Sequence, residues 1–349
     1  MNYIISGIQQ IGIGVQNVHA AFQWYKTHLG MDIKVFEESA TAAAMTRYTG
    51  QTKHQRRAIL ALNLQGGGGF EIWQYTSRNP QPATFIPECG DLGILITKLK
   101  CSQIEASYGY LKQHATVLSD QIYKNAKGQR SFVFTDPFGN WFQMTEDPIV
   151  YTKTKAYNGG VKGVVIGVKD LNQSQAFYSK LLGYDTVIEK SEDLTHLHPF
   201  PGSKKNGLSL RLSHSEMRKG PFSNLLGSSE IELVQCEGQG RPLFQNRYWG
   251  DLGFIHLCFD VRRMASLSET FEKQGFPLTV DGGAGFEMGE AAGHFTYAED
   301  PQETLIEFVE TKKVPLLKRF GWYLNLNRRP DEKSLPDWMI RAMRFNRVR

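Results

Sequence analysis

The chain is poor in the features that would make its role easy to classify. Its four cysteines, Cys89, Cys101, Cys236 and Cys258, show none of the short pairings that hold structural zinc. They read as reduced and mostly buried thiols, which places the chain in the cytoplasm. No apolar run is long enough to cross a membrane, and the first residues lack a basic segment followed by an apolar one. Nor is there a basic stripe along the whole molecule. The net charge is +5, but from Thr311 to Arg349 eleven Lys/Arg face three Asp/Glu. That tail alone carries +8, leaving the rest near −3. A nucleic-acid-coating protein is therefore excluded.

What is present is repetition. At 349 residues and 41% hydrophobic, the chain suits two globular domains. Residues 8–32 align without a gap on residues 161–185, at an offset of 153. Gly14 falls on Gly167, Tyr25 on Tyr178, Leu29 on Leu182 and Gly30 on Gly183. The run Gly90-Asp91-Leu92-Gly93 recurs as Gly250-Asp251-Leu252-Gly253, each time ahead of a strand pattern. Four units follow, near 6–80, 90–147, 160–240 and 250–310. Each opens with a strand and an amphipathic helix and continues with three strands. In the first helix Ala21, Phe22, Tyr25 and Leu29 share a face, and Gly30 is placed to end it.

Chemistry is suggested by charge inside apolar strands. Glu232 sits in Ser229–Gln235, Glu307 in Thr304–Glu310, and His256 in the middle of Gly250–Val261. A lone carboxylate in such a strand is costly without a partner. Two glutamates and one histidine point to a shared divalent cation such as Zn, Mn, Fe, Co or Ni.

The βαβββ plan, the Tyr…Leu-Gly helix endings, the Asp-Pro turns at Asp136-Pro137 and Asp300-Pro301, and the Ile231–Val234 strand resemble the vicinal oxygen chelate superfamily. That superfamily includes glyoxalase I, extradiol dioxygenases and bleomycin-resistance proteins. The resemblance covers about 6–310. It implies an α+β fold in which four βαβββ modules pair into two glyoxalase-like domains, each a cupped mixed sheet with outer helices. The expected division is 1–150, 158–312 and a basic tail at 313–349. In this family the ligands lie mid-way along the first strand and in the last strand of each unit of a pair. With consecutive units paired, the C-terminal domain offers Gly163, Glu232, His256 and Glu307, and the N-terminal domain offers Gln10, Glu71, Ile96 and Gln143. The expected metal ligands are therefore Glu232, His256 and Glu307, with Gly163 leaving one position empty. The N-terminal domain is expected to be metal-free, with Trp73 lining a polar pocket.

The family's ring-cleaving members carry a Tyr-x-x-Asp-Pro signature, and Tyr297 to Pro301 resembles it in part. His294, just upstream, is promoted with Glu232 as a catalytic side chain; no organic cofactor site is expected. The implied activity is glyoxalase-like lyase or isomerase chemistry on a small molecule with carbonyl or vicinal oxygens. A ring-cleaving iron dioxygenase and a metal-free binding protein are the alternatives. The tail is expected to form a helix within 334–347 that docks Trp338, Met339 and Met343. A homodimer, and a tail contact with a partner or an anionic surface, are compatible with this reading.

Overall fold

The computed structural model describes residues 1–125, 127–238, 240–288, 291–317 and 321–348. Unit one comprises β1 (Ile4–Gly14), α1 (Val18–Leu29), β2 (Ile33–Thr41), β3 (Gln55–Leu62) and β4 (Gly69–Tyr75). Unit two comprises β5 (Gly93–Cys101), α2 (Ile104–Leu111), β6 (Tyr123–Lys124), β7 (Arg130–Thr135) and β8 (Trp141–Glu146). Unit three comprises β9 (Asn158–Gly167), α3 (Leu171–Leu182), β10 (Thr186–Ser191), β11 (Gly207–Ser213), α4 (Ser223–Leu226) and β12 (Glu230–Cys236). Unit four comprises β13 (Gly253–Arg262), α5 (Met264–Lys273), β14 (Val280–Asp281), β15 (Phe286–Met288), β16 (Ala291–Glu299) and β17 (Leu305–Leu317). β18 (Trp322–Asn325) and α6 (Asp337–Ala342) complete the chain.

The repeated helix signals act as the sequence implies. Asn17 caps α1 by accepting from the His19 and Ala20 amides, and Asp170 caps α3 by accepting from Gln173. Gly30 and Gly183 end the two helices in the left-handed conformation, at φ 69° and 70°. Val18, Ala21, Phe22, Tyr25 and Leu29 are the buried face of α1.

The strands pair differently from the expectation. One sheet runs β14-β16-β17-β13-β1-β4-β3-β2, with β15 and β18 at its side; the other runs β10-β11-β12-β9-β5-β8-β7-β6. Unit one therefore joins unit four through the antiparallel β1–β13 pair, and unit two joins unit three through β5–β9. The two units of each half do not share a sheet, so the pairing of units within each half is corrected. The repeated glycines show how the sheets close. A Cβ on Gly14 would meet the Asp251 carbonyl at 2.0 Å, and one on Gly167 would meet the Asp91 carbonyl at 1.7 Å. Each Gly-Asp-Leu-Gly turn thus presses against the end of a first strand from the other half of the chain.

The two units of each half are instead tied through their helices. The Tyr25 hydroxyl donates to Asp136 at 2.6 Å, and the Tyr178 hydroxyl donates to Asp300 at 2.8 Å. The helix tyrosine and the Asp-Pro turn, both repeated in sequence, are one buried contact made twice. A common core draws side chains from both sheets and from α1, α2, α3 and α5. Each cupped face keeps a separate apolar cluster.

The tail docks through Met343 and Met339 as expected, but not through Trp338. Ile340 and Met343 are buried with Leu335, whereas Trp338 is 63% exposed. Asp337 accepts from Tyr151 and Asn224, and Arg347 pairs with Asp32 at 2.8 Å. Deleting residues 330–349 removes three buried apolar side chains, each contributing about 1.5–3 kcal/mol before chain entropy is offset. The expected result is a melting temperature lower by several degrees, read by calorimetry. An unchanged melting temperature would show the docked contacts to be energetically idle.

Candidate metal centre

The cross-pairing brings together four side chains from four strands. Gln10 lies on β1, Glu71 on β4, His256 on β13 and Glu307 on β17. The register explains the meeting. β1 runs parallel to β4 with Gly12 opposite Glu71, and β13 runs parallel to β17 with Cys258 opposite Glu307. Gly12 faces His256 across the central pair, and a Cβ there would overlap the imidazole at 2.4 Å. The missing side chain is what lets the ring lie in the cup.

His256 Nε2 is 3.0 Å from Glu307 Oε2 and 3.4 Å from Glu71 Oε2. Gln10 Nε2 lies 3.3 Å from Glu71 and 3.4 Å from Glu307. All four residues are buried. Donor atoms about 2.1 Å from one ion lie about 3 Å from each other at right angles, so this spacing suits a single cation. Two further observations fit. His256 Nε2 makes no hydrogen bond of good geometry despite the close carboxylates, and Gln10 Oε1 is buried without a partner. Rotating the Gln10 amide would turn that oxygen toward the carboxylates in place of the NH₂, and amide orientation is an assignment. The residues therefore fit a divalent metal. Among the described residues, Glu71, His256 and Glu307 form the one group of histidine, cysteine and carboxylate side chains whose ligand atoms lie within 4.8 Å of one another.

Without an ion, the imidazole supplies the positive charge. Burial pushes the His256 pKa down, but Glu307 and Glu71 outweigh it and raise it to about 9. Burial likewise raises the Glu307 carboxyl, and the His256 charge together with hydrogen bonds from His256, Cys258 and Tyr297 more than reverses this, leaving it below its ordinary value. His256 Nδ1 sits 3.3 Å from the Tyr297 hydroxyl, so Nε2 is the nitrogen that faces the carboxylates. Burial and then Glu307 push the Tyr297 pKa well up, so that hydroxyl keeps its proton. Trp249 stacks over the imidazole at a 12° interplanar angle, with ring centroids 6.4 Å apart.

Two cavities meet at this centre, and Glu307 lines both. The smaller one also has Arg56, Glu71, Trp73, Trp249 and Tyr297 on its wall. The larger, with about 810 Å³ of empty space, is apolar and reaches Gln10.

Two of the three expected ligands are present. His256 and Glu307 are here, but Glu232 lies in the other sheet, held by Lys98 and His196. Glu232 is thereby removed from both the metal set and the catalytic assignment. Gly163 also belongs to that sheet and is no vacant position. A Cβ there would fall 2.0 Å from the Glu230 carbonyl. Glu71 and Gln10, set aside in the sequence reading, take the places given to Glu232 and Gly163. His294 is on the wall of the larger cavity, its Nε2 2.6 Å from Asp281 Oδ1, not among the ligand atoms. Trp249 carried no sequence signal, because it precedes its strand in an irregular segment. Gln10 and Glu71 did carry one: unit one offers two ligand-capable residues at the family's positions, and so does unit four.

Comparison with known proteins agrees with this architecture. Two sequence profiles, both described as Glyoxalase/Bleomycin resistance protein/Dioxygenase superfamily, match residues 7–144 and 163–297. Glyoxalase I from Zea mays is similar in fold at a TM-score of 0.55 and 11% identity, covering 87% of this chain and 92% of its own. A Bacillus subtilis protein that carries a dioxygenase name gives a TM-score of 0.58 at 13% identity, covering 88% of this chain and 86% of its own. Among curated protein sequences, none matches this chain.

Proposed function

Since the chain belongs to the glyoxalase/bleomycin resistance/dioxygenase superfamily, we propose that it is a divalent-metal-dependent lyase or isomerase acting on a small molecule with carbonyl or vicinal oxygens. The observation that carries this reading is the convergence of Gln10, Glu71, His256 and Glu307 at the junction of two cavities. These four would hold the ion, which when bound polarises a substrate oxygen and stabilises charge developing there.

The remaining roles fall to the chain's own atoms. Glu307, facing both cavities, is the carboxylate placed to take a proton from a carbon next to the polarised oxygen. Tyr297 fixes the His256 ring through Nδ1. Trp73 and Trp249, both buried, keep water from the smaller cavity. His294, held by Asp281, stands on the larger cavity's wall and is assigned as a second proton-exchanging group. Ring cleavage is the less favoured reading, because two-His-one-carboxylate iron needs a second histidine and this set contains one. A metal-free binding protein remains the alternative from another class, with protonated His256 between the two carboxylates. The four free cysteines accord with a reducing cytoplasm, the location proposed with this reading. Among the described residues no helix is long and apolar enough to cross a membrane.

Metal analysis of protein purified without chelators tests the proposal. One equivalent of a transition metal per chain is expected. No metal, even after reconstitution, would overturn the enzyme reading and leave the binding protein.

A further inference from the structure

The larger cavity bears on what the substrate is. It begins at Gln10 and Glu307 and runs outward between β2, β3, α4 and β17 to the docked tail. Phe36, Leu60, Phe222, Leu225, Val314 and Met343 supply its hydrocarbon wall. Among the described residues lining it, Glu307 is the sole charged side chain, and there is no lysine or arginine. Apart from His294, which Asp281 already engages at 2.6 Å, that wall has no counter-charge for an anionic substituent, and burying an unpaired anion against it costs more than any apolar contact returns.

Resting on the metal centre proposed above, we propose that the substrate is an uncharged, mainly hydrocarbon molecule with two adjacent oxygens at one end. The oxygens lie at the Gln10–Glu307 end and the aliphatic or aromatic body fills the cavity. Substrates built on a charged carrier, such as an acidic peptide or a phosphate ester, are rejected by the same wall. Met343 of the docked tail is part of the cavity wall, so the tail contributes to the choice of substrate.

Alkyl hydroxamates test this, because their two adjacent oxygens chelate metals whatever the chain attached. Binding to the zinc-loaded protein is measured by titration calorimetry for acetohydroxamate, octanohydroxamate and suberic monohydroxamate, the last ending in a carboxylate. Each buried CH₂ contributes about three- to fourfold in affinity, so octanohydroxamate is expected to bind at least ~100-fold tighter than acetohydroxamate. Suberic monohydroxamate is expected to lose most of that gain. In the Met343→Glu variant, the chain-length gain should shrink while zinc content stays the same. Equal affinity across chain lengths would overturn the hydrocarbon body and leave the metal centre standing. Tight binding of the ω-carboxylate would overturn the uncharged wall. Failure to load zinc would sink the function proposal itself, and this inference with it; zinc analysis separates that failure from the others.

Discussion

His256→Ala and Glu307→Gln are each expected to lower metal affinity by at least ~100-fold, beyond the 10–100-fold typical of losing a group that only supports a ligand. His256 and Glu307 belong to different strands of the same parallel pair, and each supplies one of the charged or imidazole donors of the set. Removing the imidazole leaves Glu71 and Glu307 facing each other with no positive charge between them. Gln10→Ala removes a neutral ligand and should cost less, about tenfold. Glu232→Gln, in the other sheet, should leave metal content unchanged. Metal analysis with near-ultraviolet circular dichroism as the fold control reads all four. The ligand assignment fails if His256→Ala keeps the parent's metal content, or if Glu232→Gln loses it.

How far the sequence could be read follows from the range of each interaction. Strands, helices and caps are local: Asn17, Asp170, Gly30 and Gly183 act on their own helices, and all four units are where the periodicity puts them. Which unit shares a sheet with which is not local. Gly14 and Gly167 are equivalent notches, and Gly90-Asp91 and Gly250-Asp251 are equivalent turns. Either turn could fill either notch as far as residue type decides. The error in pairing passed directly into the site, keeping His256 and Glu307 while exchanging Glu71 for Glu232 and Gln10 for Gly163. The types of residue at the family's four positions held the corrective signal. Units one and four together offer Gln, Glu, His and Glu; units two and three offer Ile, Gln, Gly and Glu. Only the first combination gathers the ligands into one cup.

The second cup carries its own cation, and removing it should be among the most destabilising single changes in the chain. Lys98 on β5 pairs in register with Gly163 and Gln143, as Cys258 pairs with Gln10 and Glu307 in the first cup. Its ammonium lies 2.7 Å from Glu230 and 2.5 Å from Glu232, and all three side chains are at most 4% exposed. His196 Nε2 and the Ser209 hydroxyl each lie 2.6 Å from Glu232 Oε1. Burial raises both carboxyls, but Lys98, with the charges of Lys162 and Arg211, outweighs it and holds Glu230 below its ordinary range; Lys98 with His196 holds Glu232 well below. Lys98→Met leaves two buried carboxylates without their cation, a loss of about 3–5 kcal/mol. The triple variant Lys98→Met/Glu230→Gln/Glu232→Gln removes the stranded charges and should recover most of that stability. Because the folded-state carboxyls are depressed, their contribution is present above the free-carboxyl value of 4.5 and fades as pH falls below it. The parent should therefore lose stability in acid more steeply than the triple variant. Denaturant melts of the three proteins at neutral and acid pH read this directly. Equal stability of Lys98→Met and the parent at neutral pH would mean that the ammonium does not hold the cup together.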